Sequence, residues 1–281
     1  MYSSGVLVRS PLRARVLAAL DLAQLLVACV LLLTPILWMV AAGFKSSAAV
    51  TAYPPRLLFH PTTANYAALF AQMPFLEYAW NSLVIAGGAS VIGLALGVPA
   101  AFAVSWNRMA WPAVAMLAAR MAPGALFLLP WFVMFSAIHA VGSYWVLILA
   151  HAVITLPLAL WIMLPFFDAL PRSVIEAALI DGCTDAGVLI RVALPLVAPG
   201  LAVAAILCFV FAWNYFLFAL VLSGFSTTPL VVAAFNFVGE GVTNWGALMA
   251  AATLIGLPPV LLAFFVQRRL VGGLAAGAVK E

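Results

Sequence analysis

Runs of apolar residues, about twenty long or longer, recur along this chain and restrict its fold more than any other feature. About 20 residues of α-helix are needed to cross the ~30 Å hydrocarbon core of a bilayer. Helices are expected because a chain inside lipid must satisfy its backbone hydrogen bonds internally. The six runs lie at about residues 16–44, 80–105, 113–138, 143–166, 198–222 and 247–266.

The composition leaves no material for a soluble domain beside these runs. Of the 281 residues, 67% are hydrophobic and only 7% are charged, against about a quarter in average soluble domains. The longest segments between the runs have only about 30 residues. The chain is therefore predicted to be an all-α polytopic membrane protein with six transmembrane helices, in which residues 1–281 form a single domain.

Lysine and arginine are distributed unevenly between the two ends of the predicted helices. With the N-terminus inside, the outer segments hold only Lys45 and Arg56. The inner segments then hold Arg9, Arg13, Arg15, Arg108, Arg172, Arg191, Arg268, Arg269 and Lys280. Because basic residues favour the cytoplasmic side, both termini are predicted to be cytoplasmic. The net charge of +4 reflects this bias, and scattered basic residues do not form a nucleic-acid-binding face.

The first apolar run is longer than the core of a secretory signal peptide, which has about 7–15 apolar residues. No obvious cleavage site precedes Lys45, so the run is predicted to be retained as the first helix. Cys29 and Cys208 lie inside predicted spans and Cys183 lies in an inner segment. No structural disulfide or metal site is therefore expected.

Small residues at four-residue spacing mark one face of the second run, at Ala89, Gly93 and Gly97. Such a stripe allows a neighbouring helix to approach closely. The sequence therefore predicts a tight helix–helix contact along this face.

Two polar side chains fall at membrane depth, where polar groups are costly. Arg120, near the inner end of the third run, is predicted either to extend to the lipid headgroups or to meet a water-filled cavity or another helix. Asn214 lies deeper, between Trp213 and Tyr215, whose rings offer faces on which a sugar can stack. It is predicted either to line a solute path or to bond a neighbouring backbone carbonyl.

The inner segment at about residues 168–197 is predicted to form a helix–turn–helix. Ser173 can cap the first helix and Glu176 can reach back to the cap, as in a capping box. Gly182 can end that helix in the left-handed conformation, and Thr184 with Asp185 can start a second one. Pro195 and Pro199 mark the start of the fifth span. Local physics alone also allows an interfacial hairpin without a partner.

The same segment resembles the cytoplasmic EAA loop of permease subunits from binding-protein-dependent ABC importers. The matching residues are Glu176-Ala177-Ala178, Gly182 and Leu194-Pro195, with Val192 where the family usually has isoleucine. Three further stretches are similar to the carbohydrate-uptake branch, the smaller permease of maltose-type systems: Asn81-Ser82, Phe211-Ala212-Trp213-Asn214, and the tail from Gln267 to Lys280. Tyr215 stands where the family usually has a charged residue.

The resemblance implies a type I importer permease fold in the plasma membrane of a prokaryote. It implies a second permease, a cytoplasmic ABC ATPase dimer and an extracytoplasmic solute-binding protein as partners, beside membrane lipid and without nucleic acid. The chain lacks a G-x-x-x-x-G-K-[ST] phosphate loop, so it is expected to be non-catalytic and to bind no cofactor, and ATP with Mg would be used by the partner.

Candidate roles follow from the resemblance together with the polar and aromatic residues at membrane depth. The ATPase-coupling candidates are Ser173, Glu176, Ala177, Ala178, Asp181, Gly182, Leu194 and Pro195. The substrate-path candidates are Asn81, Arg120, Trp213, Asn214 and Tyr215. In the tail, which is too rich in glycine and alanine after Gly272 to be expected to fold alone, the candidates for a second ATPase contact are Arg268, Arg269, Gly277 and Lys280. The lipid headgroups are the alternative surface for this tail.

The function expected from these residues is ATP-driven import of a sugar or related polyol by alternating access. An importer for another solute, such as an amino acid, a peptide or a glycerophosphodiester, is the alternative within the class. A secondary transporter would show paired inverted repeats with ionisable residues near the midplane. An intramembrane enzyme would need catalytic pairs at depth, and the predicted spans contain none.

Overall fold

The computed structural model describes residues 11–121, 124–237 and 244–277. Within these ranges the side chains at 11–16, 110, 119, 120, 236 and 265–277 are not described. The helices are α1 Pro11–Gly43, α2 Ser47–Val50, α3 Ala64–Gln72, α4 Phe75–Trp106, α5 Ala110–Met121, α6 Ala125–Ala137, α7 Tyr144–Asp168, α8 Arg172–Ile180, α9 Asp185–Val188, α10 Leu194–Leu196, α11 Ala198–Trp213, α12 Phe216–Leu222, α13 Leu230–Ala233 and α14 Trp245–Gly277. A π-helical turn, Leu189–Ala193, joins α9 to α10, and a 3₁₀ turn, Ala234–Phe237, follows α13. The described residues form no strand, as an all-α chain requires.

Four of the predicted spans are present as single helices. Within the described residues, α1, α4, α7 and α14 are long and apolar enough to cross a bilayer. A fifth span arises if the bent pair made of residues 185–196 and α11 is counted as one, with an angle of 88° between its halves. The predicted count of six remains a prediction, because the third run does not form one long helix.

The third and fifth runs are both interrupted. Residues 113–138 were expected as one helix, but α5 ends at Met121 and α6 begins at Ala125. The intervening sequence contains Pro123, which lacks a backbone donor, and Gly124, a poor helix former. In the fifth run, expected as one helix over 198–222, α11 ends at Trp213 and α12 begins at Phe216.

The centre of the bundle is the contact between α4 and α7, against which α11 also packs. The predicted small-residue stripe faces α7: a Cβ on Gly93 would lie 2.7 Å from the Cβ of Thr155. The Thr155 hydroxyl donates to the backbone carbonyl of Ala89 at 2.7 Å. The prediction of a tight helix contact on this face is thereby confirmed.

The segment between α1 and α3 holds a buried cation that the sequence did not indicate. Lys45 has only 1% of its surface exposed. Its ammonium donates to the carbonyl of Arg56 at 2.8 Å and lies 4.0 Å from the ring centre of Trp38 and 4.9 Å from that of Phe59. Cation–π contacts and one hydrogen bond compensate the desolvated charge, which fixes the irregular chain between α2 and α3. The irregular chain leads into the short helix α3.

The last helix is longer than predicted. The span was expected to end near residue 266, whereas α14 continues to Gly277. The expectation that this tail orders against an ATPase or lipid surface stays a prediction. Gln267, Arg268, Arg269 and Leu270 are strong helix formers and carry the helix past the predicted end.

Candidate functional site

The first helix of the inner segment begins earlier than expected. Pro171, in an extended conformation with ψ at 124°, occupies the cap position, and α8 starts at Arg172. No side-chain hydrogen bond caps this helix, so the predicted capping box of Ser173 and Glu176 is wrong. The physical reason is that the extended Pro171 occupies the cap position, so that helical conformation begins at Arg172 and Ser173 lies inside the first turn.

The end of α8 follows the prediction. Gly182 has φ at +87°, the left-handed conformation that favours glycine. Its amide donates to the carbonyl of Leu179 at 3.0 Å, and the amide of Cys183 donates to the carbonyl of Ala178 at 3.0 Å. These two bonds form a Schellman motif, so the turn depends on one left-handed residue.

The second helix of the inner segment also follows the prediction. The Thr184 hydroxyl accepts from the amide of Gly187 at 3.2 Å, and Asp185 lies in the first turn of α9, where the helix dipole favours a carboxylate. Beyond the π-helical turn, the chain bends at Val197 into α11. Leu194, before this bend, is half-buried, and Pro195 is exposed.

The hairpin formed by α8, the turn at Gly182 and α9, called the coupling hairpin below, has one buried and one exposed face. On the buried face, Ile175 and Val188 pack with residues of α4 and α7 in one apolar cluster, whose other members include Val98, Ala101, Leu160, Met163 and Phe167. On the exposed face lie Glu176, Ala177 and Ile180, and Ile180 has 86% of its surface exposed.

The burial of Ala178 corrects one assignment. Both alanines of the Glu176-Ala177-Ala178 sequence were expected to permit close contact with a partner. Ala178 is 8% exposed and belongs to the buried cluster, whereas Ala177 is exposed. Adjacent helical residues point about 100° apart, so they cannot both face the same surface. Ala178 therefore allows α8 to approach the membrane helices, and only Ala177 is available outside.

Asn81 of α4 connects the loop between α12 and α13 to the bundle. It is fully buried, and its amide donates to the carbonyls of Ser226 and Thr228 at 3.1 and 3.0 Å. Its carbonyl oxygen accepts from the hydroxyl of Tyr144 at 2.5 Å. With all these groups engaged inside the protein, the structure gives Asn81 an anchoring position, and its contact with a solute remains a prediction.

Replacing Asn81 with alanine should destabilise the protein, because two loop carbonyls and the Tyr144 hydroxyl lose their buried partner. Each unsatisfied group costs about 1–3 kcal/mol, so we expect a melting temperature lower by several degrees in detergent. The matched control is Asn107→Ala on the same helix, since Asn107 is exposed and bonds only the Ala103 carbonyl of its own helix. Equal melting temperatures for the two variants would contradict the anchoring position.

The break in the fifth run lies at Asn214 and Tyr215, directly after the buried end of α11 at Trp213. Trp213 is buried and its indole donates to the carbonyl of Ile255 at 3.0 Å, so the expectation that a sugar stacks on it does not fit this conformation. Asn214 is exposed, and its amide donates to the carbonyl of Val210 at 2.8 Å. The predicted bond to a nearby backbone carbonyl is therefore present, and a place for Asn214 on the solute path stays a prediction.

The two breaks meet each other. The hydroxyl of Tyr215 lies so close to Gly124, just before α6, that a Cβ at position 124 would overlap it. The Tyr215 ring packs edge-on against His151, whose Nδ1 lies 2.7 Å from the carbonyl of Leu147. Sequence reasoning assigned His151 no role and did not detect this junction, because no local pattern brings the two breaks together.

The remaining site candidates cannot be located as side chains. Arg120 lies in α5, and Arg268, Arg269 and Gly277 lie in α14, but the described part of the chain does not include their side chains. Lys280 lies outside the described residues. The described residues contain no group of three His, Cys, Asp or Glu side chains able to hold a metal ion.

Comparison with known proteins relates this geometry to transport. Residues 18–275 match the family described as "Binding-protein-dependent transport system inner membrane component". The matched range includes the coupling hairpin and every helix from α2 to α13.

Curated relatives extend over nearly the same length. The sulfoquinovosyl glycerol transport system permease protein SmoH of Agrobacterium fabrum is 34% identical over 257 residues, covering 88% of this chain and 89% of that protein. The trehalose/maltose transport system permease protein MalG of Thermococcus litoralis is 32% identical over 260 residues, covering 89% and 92%.

A solved structure shares the fold. A chain in the crystal structure of a bacterial ABC transporter involved in the import of the acidic polysaccharide alginate superposes with a TM-score of 0.71 at 20% identity, covering 95% of this chain and 98% of that one. At that identity the likeness concerns the fold. Together with the match over residues 18–275, it shows that this multi-pass membrane protein belongs to the inner membrane components of binding-protein-dependent transport systems.

Proposed function

We propose that this chain is the permease subunit of an ATP-driven importer and that it receives its driving force through the coupling hairpin. The observation that carries the proposal is the two-faced packing of this hairpin. Its buried face shares one apolar cluster with α4 and α7, while Glu176, Ala177 and Ile180 remain exposed. The exposed face is therefore available to a partner, while the buried face ties the hairpin to the membrane helices.

The partners follow from the family. A separate cytoplasmic ABC ATPase dimer would bind the exposed face of the coupling hairpin and use ATP and Mg²⁺, and a second permease would complete the pore. An extracytoplasmic binding protein would deliver the solute, as in the alginate transporter solved in complex with its pentasaccharide-bound periplasmic protein. In this arrangement both termini are cytoplasmic.

Movement would pass from the hairpin to the membrane helices through packed contacts. Because α8 follows α7 directly and α9 leads into α11, a shift of the hairpin pulls on both of these helices. Packed cores move as rigid bodies rather than deforming continuously, so the shift would reach the breaks at Gly124 and Asn214 where helices can change angle. This would exchange outward for inward access.

The solute proposed is a sugar or a related polyol. The relatives named above are permeases of trehalose/maltose and sulfoquinovosyl glycerol transport systems, and a third, DasC of Streptomyces coelicolor, belongs to a diacetylchitobiose uptake system. These solutes share a carbohydrate part rich in hydroxyl groups. The exposed amide at the break in the fifth run offers a hydrogen-bonding group to such a solute.

If Asn214 lines the solute path, Asn214→Leu should raise the KM for uptake by about five-fold, the factor that the loss of one hydrogen bond of about 1 kcal/mol represents. ATPase activity stimulated by the binding protein should survive, because α8 and its cluster are unchanged. Uptake, ATPase activity and membrane abundance are measured together. A variant that lowers only the folded yield would show that Asn214 serves packing and not the path.

The proposed function is tested by deleting the gene and measuring uptake of radiolabelled trehalose, maltose, diacetylchitobiose and sulfoquinovosyl glycerol. We expect uptake of at least one of these carbohydrates to be lost and to return with the wild-type gene. Purification through a tag on this chain should also recover an ABC ATPase. Uptake that is unchanged for all carbohydrates, with loss of amino-acid or peptide uptake, would contradict the proposed solute class.

A further inference from the structure

A cavity of about 490 Å³ lies beside the coupling hairpin, where the ends of α4 and α7 meet the starts of α5 and α8. Its apolar wall includes Phe102 and Leu164. Its polar lining consists of Ser105, Asp168 and two arginines, Arg108 and Arg172. None of these residues was assigned a role in solute movement or ATPase contact, so the cavity needs its own explanation.

The polar lining carries an excess of positive charge. The Ser105 hydroxyl donates to Oδ1 of Asp168 at 2.5 Å, which occupies one oxygen of the only carboxylate in the lining. The Arg172 guanidinium lies 5.4 Å from the ring centre of Trp106 and makes a long, 3.5 Å hydrogen bond to the carbonyl of the same residue. Two guanidinium groups against one carboxylate favour an anionic occupant.

The backbone at Arg108 is a second, independent observation. Arg108 has φ at +52°, and it ends α4 through bonds from its own amide to Ser105 at 3.3 Å and from the Met109 amide to Val104 at 3.1 Å. This is the position that Gly182 fills after α8. The left-handed conformation disfavours residues other than glycine, and such strain concentrates at functional sites. The strained turn places an arginine at the rim of the cavity.

The surroundings indicate the depth of a lipid headgroup. Trp106 ends the membrane-length helix α4, and Trp111 in α5 is 71% exposed. Tryptophan is enriched where the hydrocarbon meets the polar headgroups, and basic cavities between the ends of membrane helices on the cytoplasmic side bind anionic headgroups. The cavity thus lies where a lipid phosphate is available.

We propose that this cavity binds the headgroup of an anionic phospholipid with a hydroxyl-bearing headgroup, such as phosphatidylglycerol. Arg108 and Arg172 would bind the phosphate, and the free oxygen of Asp168, which can only accept, would take a hydrogen bond from a headgroup hydroxyl. The first acyl carbons would lie along Phe102 and Leu164. Assignment to the inner leaflet rests on the topology in the proposed function, whereas the binding itself does not.

A bound headgroup would join two moving parts. Arg108 ends α4, while Arg172 is the first residue of α8 and therefore of the coupling hairpin. A phosphate held by both would fix the start of the hairpin relative to α4. The lipid would in this way hold the hairpin at the level of the membrane surface.

The test uses the complex purified through a tag on this chain and reconstituted into vesicles of phosphatidylcholine alone or of an equimolar mixture with phosphatidylglycerol. Lipid retained after extraction is counted by native mass spectrometry. We expect the wild type to retain phosphatidylglycerol, and Arg108→Gln and Arg172→Gln each to lower the retention about five-fold. The matched control is Arg191→Gln, an exposed arginine of the same inner segment outside the cavity, which should retain the lipid as the wild type does.

Arg108→Gly separates loss of lipid binding from misfolding. Glycine adopts the left-handed turn without strain, so this variant should fold at least as well as the wild type. We expect it to keep the melting temperature and lose the lipid. Wild-type retention in the Arg108 and Arg172 variants, or equal loss in Arg191→Gln, would overturn the proposal. So would stabilisation of the wild type by inorganic phosphate in phosphatidylcholine vesicles to the extent that phosphatidylglycerol gives, since the cavity would then take a soluble anion. Lipid retention is measured without transport. A negative result for lipid binding can therefore be distinguished from a negative result for the proposed function.

Discussion

Replacing Gly182 with valine is expected to reduce solute uptake by roughly ten-fold while leaving the amount of protein in the membrane unchanged. The left-handed conformation at Gly182, φ at +87°, costs an L-residue about 1–2 kcal/mol and a β-branched residue more. A cost of about 1.4 kcal/mol corresponds to a factor of ten. The spans α7 and α11 do not depend on this turn, so insertion into the membrane should survive.

Two further substitutions separate conformation from bulk at this position. A Cβ at Gly182 would have no atom within 4 Å, so steric overlap is not the cause of the expected loss. Gly182→Ala should therefore show an intermediate loss, and Gly182→Asn should keep most of the uptake, because asparagine tolerates the left-handed region. Uptake and membrane abundance are measured together. Normal uptake in Gly182→Val at normal abundance would contradict a role for the turn in coupling.

Replacing Gly93 with valine is expected to remove most of the folded protein. A Cβ at this position would lie 2.7 Å from the Cβ of Thr155 and 2.9 Å from its backbone carbon, so α4 and α7 must move apart. Overpacking a close contact costs about 1–3 kcal/mol or more. Separating the helices also breaks the hydrogen bond from Thr155 to Ala89, whose groups lie in a buried interface.

The matched control is Gly87→Val on the same helix. A Cβ at Gly87 would have no atom within 4 Å, while the change in helix propensity is the same. We expect Gly93→Val to lower the melting temperature by roughly 5 °C or more and the yield of monodisperse protein in detergent with it. Gly87→Val should remain close to the wild type. Similar behaviour of the two variants would contradict the close approach of α4 to α7.

The elements that local chemistry determines could be predicted from the sequence. The length of the apolar runs predicted α1, α4, α7 and α14, because a chain inside lipid must satisfy its backbone hydrogen bonds internally and a helix does so. The stripe of Gly93 and Gly97 indicated a close helix contact, since only small residues permit one. Gly182 and Thr184 determined the turn and the second helix of the inner segment through their own backbone and hydroxyl groups.

The features that depend on distant parts of the chain could not be predicted. The orientation of α8, which buries Ala178 and exposes Ala177, is set by the apolar cluster it meets on α4 and α7. The burial of Trp213 depends on the carbonyl of Ile255, far along the chain, and that of Lys45 on two rings from different segments. The capping box was wrong because Pro171 occupies the cap position, so that the helix begins at Arg172, before Ser173.

In the proposed function this chain forms the solute path together with a second permease, and a separate ATPase drives it. The most direct measurement is uptake of radiolabelled carbohydrate by proteoliposomes containing the complex purified through this chain, with ATP supplied to the ATPase side and the binding protein to the other. We expect accumulation that requires both ATP and the binding protein and that falls roughly ten-fold in Gly182→Val. Accumulation that persists without ATP and disappears when ion gradients are dissipated would contradict the proposed function.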